Sequence, residues 1–362
     1  MVNADKKPVF DILEPVAIGQ FFAEYWEMKP LHISRSSNNP FESYISVDAL
    51  ERILSTQTLQ FPQLQLSKAG TSLPSSLYTD SSNTVAPGHV SEQFKNGATI
   101  ILSQAQKLHA PLLNLCRQMQ RLFFMPCQTN TYYSPAGMQG FNPHYDTHDV
   151  FILQVKGRKT FRFYSERTMH PTSNHKFDKD VHKVGEETER IELSAGDLLY
   201  IPKGVVHDAV AHTDEPSLHI TLGVYPVLYR DLLHELIDIA SENNQVFRQA
   251  IPQSLWTGTD QNTCKPDYLR SLFDECMNAE YLDLALNEMR DRMAIESAPD
   301  ISGVVDTPSF DESNSFCVRH DRIMHVEKQN QTIKIRLFGS SGVRASNVSS
   351  GGLDTDTNPI PA

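Results

Sequence analysis

Cysteine is scarce in this sequence, and the few cysteines are widely spaced. There are five in 362 residues, and no two of them form a CxxC pair. They are Cys116, Cys127, Cys264, Cys276 and Cys317. An odd number without such pairs excludes a disulfide framework and argues against a cysteine-ligated zinc site. We expect reduced thiols and a cytoplasmic protein, and the same thiols would fit a nucleus.

Long apolar runs and an excess of positive charge are also missing. No run reaches the roughly 18 apolar residues that a membrane-spanning helix needs. The first residues, MVNADKKPVF, lead into no apolar signal segment, so we expect neither export nor membrane insertion. The net charge is −12, from 32 basic and 44 acidic residues. Phosphate binding needs clustered lysine and arginine, so we expect no direct nucleic-acid partner, although a local basic groove would still be compatible.

Helical patterns precede a β-rich block. Apolar side chains recur at helical spacing over residues 16–30, where the pattern predicts an amphipathic helix that Pro30 ends. Two more helices are predicted, over residues 47–55 and 108–124. Residues 150–155 (VFILQV) and 159–164 (KTFRFY) flank a Lys-Gly-Arg turn and predict a β-hairpin. Short strands separated by Gly and Pro turns predict a mainly β core with helices, built as a double-stranded β-helix, or jelly roll.

The hydrophobic pattern changes from strand-like to helical after residue 226. Residues 227–300 predict helices with strong apolar stripes, such as Leu228, Leu232 and Leu236. Stripes of this kind favour a helical dimerisation unit, because they need a cover. Two strands around a polar turn follow, and residues 341–362, rich in Ser, Gly, Asp and Asn, are predicted to be disordered.

Two short motifs carry candidate metal ligands. His144 and Asp146 are two residues apart in a segment with β character, so both side chains should project to one face. The second motif, GDLLYIPKGVVH, brings His207 after a turn at Pro202 and Gly204. Two imidazoles and one carboxylate, with no cysteine nearby, suit Fe(II) with positions left open for a substrate and dioxygen. A hydrogen-bonded or surface histidine is the alternative for His144 alone.

Both motifs follow the cupin pattern with informative departures. The second fits G-x5-P-x-G-x2-H-x3-N except that Ala211 replaces the final Asn. In the first, Asp146 replaces the second histidine, Val150 occupies the position of the glutamate ligand, and Gly157 is retained. A closed four-ligand site thereby becomes a three-ligand site with three free positions, which points to oxygen activation.

Lys159 indicates which co-substrate would bind beside the metal. It shares strand parity with Phe161 and Phe163, so it faces the interior if they do. A buried ammonium costs several kcal/mol unless an anion meets it. 2-Oxoglutarate suits this position, since its 2-oxo acid end can chelate iron while its far carboxylate pairs with the lysine. An outward-turned lysine is the alternative.

The sequence gives less reason to assign a role in metal binding to the remaining histidines. His219 lies in a predicted strand, where it is either a hydrogen-bonded interior residue or a support for the metal ligands. The others are predicted to be solvated, and they are His148, His170, His175, His182 and His212.

The run over residues 130–164, followed by residues 196–209 (GDLLYIPKGVVHDA), resembles the JmjC-type ribosomal oxygenase family of Fe(II)- and 2-oxoglutarate-dependent protein hydroxylases. The likeness extends over roughly residues 10–340. It implies a catalytic domain (1–226), a helical dimerisation domain (227–300) and a winged-helix-like remnant (301–340) whose closing helix is missing. By this resemblance the iron ligands are His144, Asp146 and His207, Lys159 binds the C5 carboxylate of 2-oxoglutarate, and Asn130 and Tyr132 line the pocket.

We therefore expect a dioxygenase that hydroxylates a His or Arg of a ribosomal protein, acting as a homodimer. A lysine at position 159 resembles the histidine-hydroxylating branch more than the arginine-hydroxylating one. An oxygenase of a small peptide or natural product, or a histone demethylase, would use the same chemistry. A metal-binding cupin scaffold without catalysis is an alternative of another class.

Overall fold

The computed structural model describes residues 12–35, 39–257, 266–296, 323–329, 332–338 and 344–349. The chain forms two compact units, Met1–Pro226 and Val227–Ala362. Within the described residues, no helix is both long enough and apolar enough to cross a membrane. The thiols of Cys116, Cys127 and Cys276 are free, whereas Cys264 and Cys317 lie outside the described residues.

The first unit is mainly β, with helices at its N-terminal side. Its helices are α1 (Ile18–Glu24), α2 (Val47–Thr56), α3 (Pro87–Lys95) and α4 (Ala110–Phe123). Its strands are β1 (Leu31–Ile33), β2 (Leu64–Lys68), β3 (Thr71–Ser72), β4 (Thr99–Leu102), β5 (Cys127–Ser134), β6 (Asp149–Lys156), β7 (Lys159–Arg167), β8 (Glu187–Leu193), β9 (Leu198–Ile201), β10 (Val205–Ala211) and β11 (Ser217–Val224). The helices predicted at residues 47–55 and 108–124 are confirmed as α2 and α4.

Two sheets face each other. The main sheet has eight strands in the order β1-β9-β6-β11-β5-β4-β2-β3, and the small sheet has three in the order β10-β7-β8. Apolar side chains from both sheets pack between them, including Val150 and Ile152 from one sheet and Phe161 and Phe163 from the other. The predicted double-stranded β-helix is confirmed.

The other face of the main sheet carries the largest core. Phe151 and Leu153 on β6 pack there with Phe21 of α1 and Leu115 of α4. Strand β6 is therefore buried on both faces, which explains its continuous apolar sequence.

The predicted hairpin between residues 150 and 164 is wrong. Strand β6 pairs with β9 and β11 of the main sheet, whereas β7 pairs with β8 and β10 of the small one. Gly157 has a φ of +67°, and a Cβ there would lie 2.2 Å from the carbonyl oxygen of Pro216. The glycine thus lets the chain cross from one sheet to the other at a crowded corner.

The first helix is shorter than predicted. It ends at Glu24 instead of continuing to Pro30, because Glu27 adopts a left-handed φ of 55° that an α-helix cannot include. The aromatic residues of the pattern still pack inward, since Trp26 stacks on Tyr200 at 5.9 Å.

The second unit contains four helices and a small sheet among its described residues. They are α5 (Tyr229–Asn243), α6 (Gln253–Thr257), α7 (Pro266–Cys276), α8 (Ala279–Glu296), and the strands β12 (Ile323–Gln329), β13 (Thr332–Phe338) and β14 (Arg344–Ser349). Its helices enclose a small apolar core around Leu236, Ile239 and Cys276.

Strand β14 differs from the prediction that residues 341–362 are disordered. Despite its polar composition, it pairs antiparallel with β13. The reason is that β13 has a second edge whose backbone donors and acceptors need partners. Residues 350–362 lie outside the described residues.

Candidate metal centre

His144, Asp146 and His207 come together at one end of the barrel. One ligand atom from each lies within 4.8 Å of the other two. The two imidazole rings are 5.0 Å apart, and Nε2 of His207 is 3.7 Å from Oδ2 of Asp146. Within the described part of the chain, no fourth His, Cys, Asp or Glu joins this cluster. The barrel interior near the expected glutamate position is filled by Val150. This donor set suits a divalent metal with open coordination positions.

Backbone hydrogen bonds hold the three residues in register. The segment around His144 and Asp146 is not the strand that the sequence predicts, because only His144 forms a β-bridge, with His207. The N–H of each histidine donates to the carbonyl of the other, at 3.0 and 2.8 Å, and Gly204 N–H donates to the carbonyl of Asp146 at 2.9 Å. The main chain therefore fixes the relative position of the two motifs.

Both imidazoles present the same nitrogen to the centre of the cluster. Nδ1 of His144 lies 2.8 Å from the carbonyl oxygen of Asn142, and Nδ1 of His207 lies 2.9 Å from that of Val205. A carbonyl only accepts a hydrogen bond, so each Nδ1 carries the proton. Each Nε2 then keeps a lone pair for a metal, and the carbonyl fixes the ring orientation.

The charge states also suit ligation. Burial opposes ionisation of Asp146, but His144, His148 and His207 outweigh it and lower the pKa of the carboxyl. Burial and the neighbouring His144 lower the pKa of His207, although Asp146 acts in the other direction. The arrangement therefore favours an ionised carboxylate beside a neutral imidazole, the forms that bind metals.

The turn before His207 leaves little room for other residues. Gly204 has a φ of +80°, and a Cβ there would lie 1.8 Å from the carbonyl oxygen of Thr168. The same glycine accepts a hydrogen bond from Thr168 N–H at 2.9 Å. The glycine of the cupin pattern is thus required by both conformation and packing.

Lys159 points into the barrel, as the strand parity predicts. The residue is only 3% exposed, and its Nζ lies 3.5 Å from Oγ of Ser134. Burial lowers the pKa of Lys159 to about 7. No carboxylate within the described residues forms an ion pair with it. Burial thus disfavours the protonated form of Lys159, and an anionic ligand beside it would stabilise that form.

Tyr132 lies close to the three-residue cluster, and Asn130 lies further along β5. Burial and the charge of Asp146 raise the pKa of Tyr132, against a hydrogen bond from Asn130. The Tyr132 ring stacks on His219 at 4.9 Å and 3°. The amide oxygen of Asn130 also accepts from the Gln104 backbone N–H at 3.0 Å. Asn130 thus orients Tyr132 and the neighbouring turn, and Tyr132 lies near the carboxylate of Asp146.

His219 is buried without a full set of hydrogen bonds. Its Nδ1 has no partner among the described residues, so the expectation of a fully hydrogen-bonded interior histidine does not hold at that atom. Burial, assisted by the charge of Lys159, lowers its pKa well below the ordinary value. A neutral imidazole therefore lies between Tyr132 and Phe161, with one nitrogen free for a ligand or a water molecule.

His148 was missed by the sequence reasoning, which placed it in solvent. Its ring stacks on Tyr225 at 4.4 Å and 12°, and it contributes to the lowered pKa of Asp146. The available signal was its spacing, because His148 follows Asp146 by two residues, as Asp146 follows His144. His182 is not simply solvated either, since its Nε2 lies 3.1 Å from the hydroxyl of Tyr145.

Comparisons with known proteins point to one group of relatives. The family model described as the JmjC domain matches residues 102–232. The bifunctional lysine-specific demethylase and histidyl-hydroxylase NO66 of Dictyostelium discoideum is 27% identical over 319 residues, which cover 80% of this chain and 60% of that protein. Ribosomal oxygenase 1 of Danio rerio is 29% identical over 280 residues, covering 72% of this chain and 49% of that one. The chain thus spans about half the length of the curated relatives it matches.

Solved structures share the fold. A crystal structure of the Escherichia coli ribosomal oxygenase YcfD has a TM-score of 0.50 at 17% sequence identity and covers 93% of this chain and 86% of its own. A structure of the same E. coli protein in complex with cobalt and 2-oxoglutarate has a TM-score of 0.51, also at 17% identity, with the same coverage of both chains. At this level of identity the likeness concerns the fold alone.

Proposed function

This chain is a JmjC-domain protein related to the ribosomal oxygenases, and we propose that it is an Fe(II)- and 2-oxoglutarate-dependent oxygenase that hydroxylates a protein side chain. The observation that carries the proposal is the combination of an open three-ligand cluster with a buried lysine that forms no ion pair with any described residue. His144, Asp146 and His207 offer the donors that suit ferrous iron. Lys159, buried in the barrel and protonated when an anion meets it, offers the charge that a distal carboxylate needs.

The proposed roles follow the geometry. His144 and His207 bind the metal through Nε2, and Asp146 binds it through a carboxylate oxygen. Lys159 pairs with the C5 carboxylate of 2-oxoglutarate. When bound, iron and 2-oxoglutarate supply the oxidising chemistry, in which dioxygen converts 2-oxoglutarate to succinate and carbon dioxide and leaves one oxygen atom on the substrate.

Aromatic side chains limit the access of water to this site. Phe141 packs edge-on against His144 at 5.7 Å and against Tyr132 at 6.0 Å. Tyr132 and Asn130 line the co-substrate pocket in this proposal, and Tyr132 stays neutral because burial raises its pKa. The stacked rings of His148 and Tyr225 present a flat surface beside Asp146. Such a surface suits a planar substrate side chain.

We assign the substrate to a ribosomal protein and the modified residue to a histidine. The support is the naming of relatives as histidyl-hydroxylases and as a ribosomal oxygenase. Arginine hydroxylation, or action on a small peptide, remains an outcome of the test. The test is mass spectrometry of ribosomal proteins from cells with and without the gene. We expect a gain of one oxygen atom on a histidine, and modification of arginine or of no ribosomal protein would overturn the assignment.

The oxygenase chemistry has a simpler test. Anaerobic addition of Fe(II) and 2-oxoglutarate to the purified chain should produce the weak visible charge-transfer band of the chelate, and air should then release succinate. His144→Ala serves as the control and should give neither signal. A tightly bound zinc ion with no band would instead support the metal-binding scaffold.

A homodimer through the helical unit is part of the proposal. Side chains spaced four residues apart on and just after α7 are exposed, with Leu269 at 52%, Phe273 at 46% and Met277 at 57%. A second copy of the chain would remove this apolar row from water. Light scattering should give twice the chain mass, and Phe273→Asp should give the monomer. A monomeric wild-type chain would contradict the dimer.

The domain assignment and the location complete the proposal. We assign residues 1–226 to the catalytic domain, residues 227–300 to the dimerisation domain and residues 301–340 to a winged-helix-like remnant, of which residues 301–322 lie outside the described part of the chain. The free thiols of Cys116, Cys127 and Cys276 fit a reducing compartment, and we assign the cytoplasm. Cell fractionation would test this location against the nucleus.

A further inference from the structure

A second cluster of polar groups, buried except for the partly exposed Glu27, lies at the turn that precedes His207. We name it the Lys203 cluster, and its members are Glu27, Asp149, Tyr200 and Lys203. The Lys203 side chain is 2% exposed and forms an ion pair with Glu27. The hydroxyl of Tyr200 donates to Asp149 at 2.6 Å and accepts a hydrogen bond from the backbone N–H of Glu27 at 2.8 Å. Four groups from three separate segments of the chain are thus linked in one network.

Glu27 is itself held firmly. The guanidinium of Arg167 donates to the carbonyl oxygens of Glu27 at 2.8 Å and of Met28 at 2.6 Å. The backbone of Glu27 is left-handed, so its carboxylate leaves the chain from a sharp bend. The N-terminal segment therefore presents Glu27 to Lys203 from a fixed position.

The same turn is linked to two of the three candidate metal ligands, to Asp146 by a hydrogen bond and to His207 along the chain. Gly204, next to Lys203, donates its N–H to the carbonyl of Asp146 at 2.9 Å. His207 follows three residues later on β10. A displacement of Lys203 would consequently move the backbone of both Asp146 and His207.

We propose that Glu27 and Lys203 are positioning residues for the metal site, with their ion pair fixing the turn that orients Asp146 and His207. The inference rests on the proposed metal ligands. It places part of the metal-binding unit in the N-terminal segment, outside residues 102–232 that match the JmjC domain. Glu27 and Lys203 act through the turn and do not contact the metal.

Fold stability alone gives a weak reason for this ion pair. Replacing a buried ion pair by apolar side chains of similar volume often leaves stability unchanged or raises it. An ion pair that positions metal ligands behaves differently from one that only stabilises the fold. Its removal weakens metal binding while the chain stays folded. Groups that orient metal ligands from behind typically change affinity by about 10–100-fold.

The test measures Co(II) affinity of the full chain from the absorption of the bound ion, with thermal unfolding of the metal-free chain as a check of folding. The double variant Glu27→Gln with Lys203→Met removes both charges and should bind Co(II) about 10–100-fold more weakly. Lys203→Arg retains the charge and should stay nearer to the wild type. Glu235→Gln is the matched control, since Glu235 is a largely buried carboxylate paired with Arg292 in the other unit. It should leave Co(II) affinity unchanged.

The outcomes separate this inference from the proposed function. A wild-type chain that binds no Co(II) overturns the proposed metal site and the inference with it. A wild-type chain that binds Co(II), beside a folded double variant of equal affinity, overturns the inference alone. If the double variant fails to fold, Glu27→Gln alone decides, because the Glu27 side chain is partly exposed. Unchanged affinity there overturns the inference, and a loss of roughly tenfold supports it.

Discussion

The two faces of the main sheet differ in what they contribute. Towards the helices, Phe151 and Leu153 of β6 pack into a large apolar core. Towards the barrel interior, the same strand presents Val150 and Ile152 and then the buried amide of Gln154. Because side chains alternate along a strand, one residue contributes to the stability of the outer core while its neighbour faces the ligand-binding interior. The comparison indicates that the outer face stabilises a barrel whose inner face carries costly buried polar groups.

The barrel interior is costly because two buried groups that face it, one from each sheet, are incompletely satisfied by the protein. Lys159 on β7 is a buried amine whose Nζ lies 3.5 Å from the hydroxyl of Ser134, and His219 on β11 has a buried nitrogen with no partner among the described residues. Groups of this kind destabilise a fold unless a ligand satisfies them. Phe151 and Leu153 on the outer face are apolar and need no ligand, so substitutions there and at the site should separate stability from binding.

The largest difference between loss of turnover and loss of stability is expected for substitutions of the candidate metal ligands. His144→Ala and Asp146→Ala should each reduce turnover by more than the roughly 100-fold that loss of an outer support causes. The metal-free chain should still unfold near the wild-type temperature. Succinate release per folded molecule measures the first effect, and calorimetry measures the second. A variant that retains full 2-oxoglutarate-dependent turnover would remove the assignment of that residue.

The opposite result is expected on the outer face. Phe151→Ala should lower the free energy of unfolding by about 3–5 kcal/mol, because a fully buried ring leaves a cavity. The Kd of the folded chain for Co(II) should remain that of the wild type. Urea unfolding and metal titration at low temperature provide the two measurements. If Phe151→Ala weakened metal binding without loss of stability, the division between the faces would be wrong.

A smaller effect is expected at the co-substrate position. Lys159→Ala should raise the 2-oxoglutarate concentration required for half-maximal turnover by about 10–100-fold, the value of a lost charge-assisted hydrogen bond. Lys159→Arg is the control that retains a cation. The requirement is measured with metal held in excess. An unchanged requirement would show that another residue holds the distal carboxylate.

The smallest effect concerns pH. In the free chain, burial lowers the pKa of Lys159 to about 7, and pairing with a carboxylate would raise it again. Protonation of Lys159 therefore favours the binding of 2-oxoglutarate. The affinity for 2-oxoglutarate should be full below about pH 7 and fall by up to about tenfold per pH unit above it. Binding measured in the Mn(II)-loaded chain should follow this slope. Lys159→Arg, whose side chain stays charged, should lack it, and an equal slope in both would contradict the assignment to Lys159.

Short-range patterns predicted much of the candidate site. The spacing of His144 and Asp146, the Pro-Gly turn before His207 and the parity of Lys159 with Phe161 are properties of adjacent residues. They indicated the three-residue cluster and the inward lysine, although His144 and Asp146 lie in a bridged loop and not in a strand. The two side chains still reach the same cluster, because the backbone of His207 fixes His144 in the way that a neighbouring strand would.

Contacts between distant segments were not predictable in this way. His148 meets Tyr225, and Glu27 meets Lys203, only because the barrel closes and the N-terminal segment packs against it. The crossing at Gly157 has the same origin, since an apolar strand followed by a turn fits a hairpin equally well.

By itself, the amino-acid sequence determined the mainly β fold, the apolar strands and the donor types at the site, because alternation, turn residues and ligand chemistry act over a few neighbouring positions. Tertiary structure alone decided which sheet each strand joins, which histidines line the site and which charges are buried together. Those outcomes depend on packing between segments far apart in the chain, where only closure of the fold determines the distances.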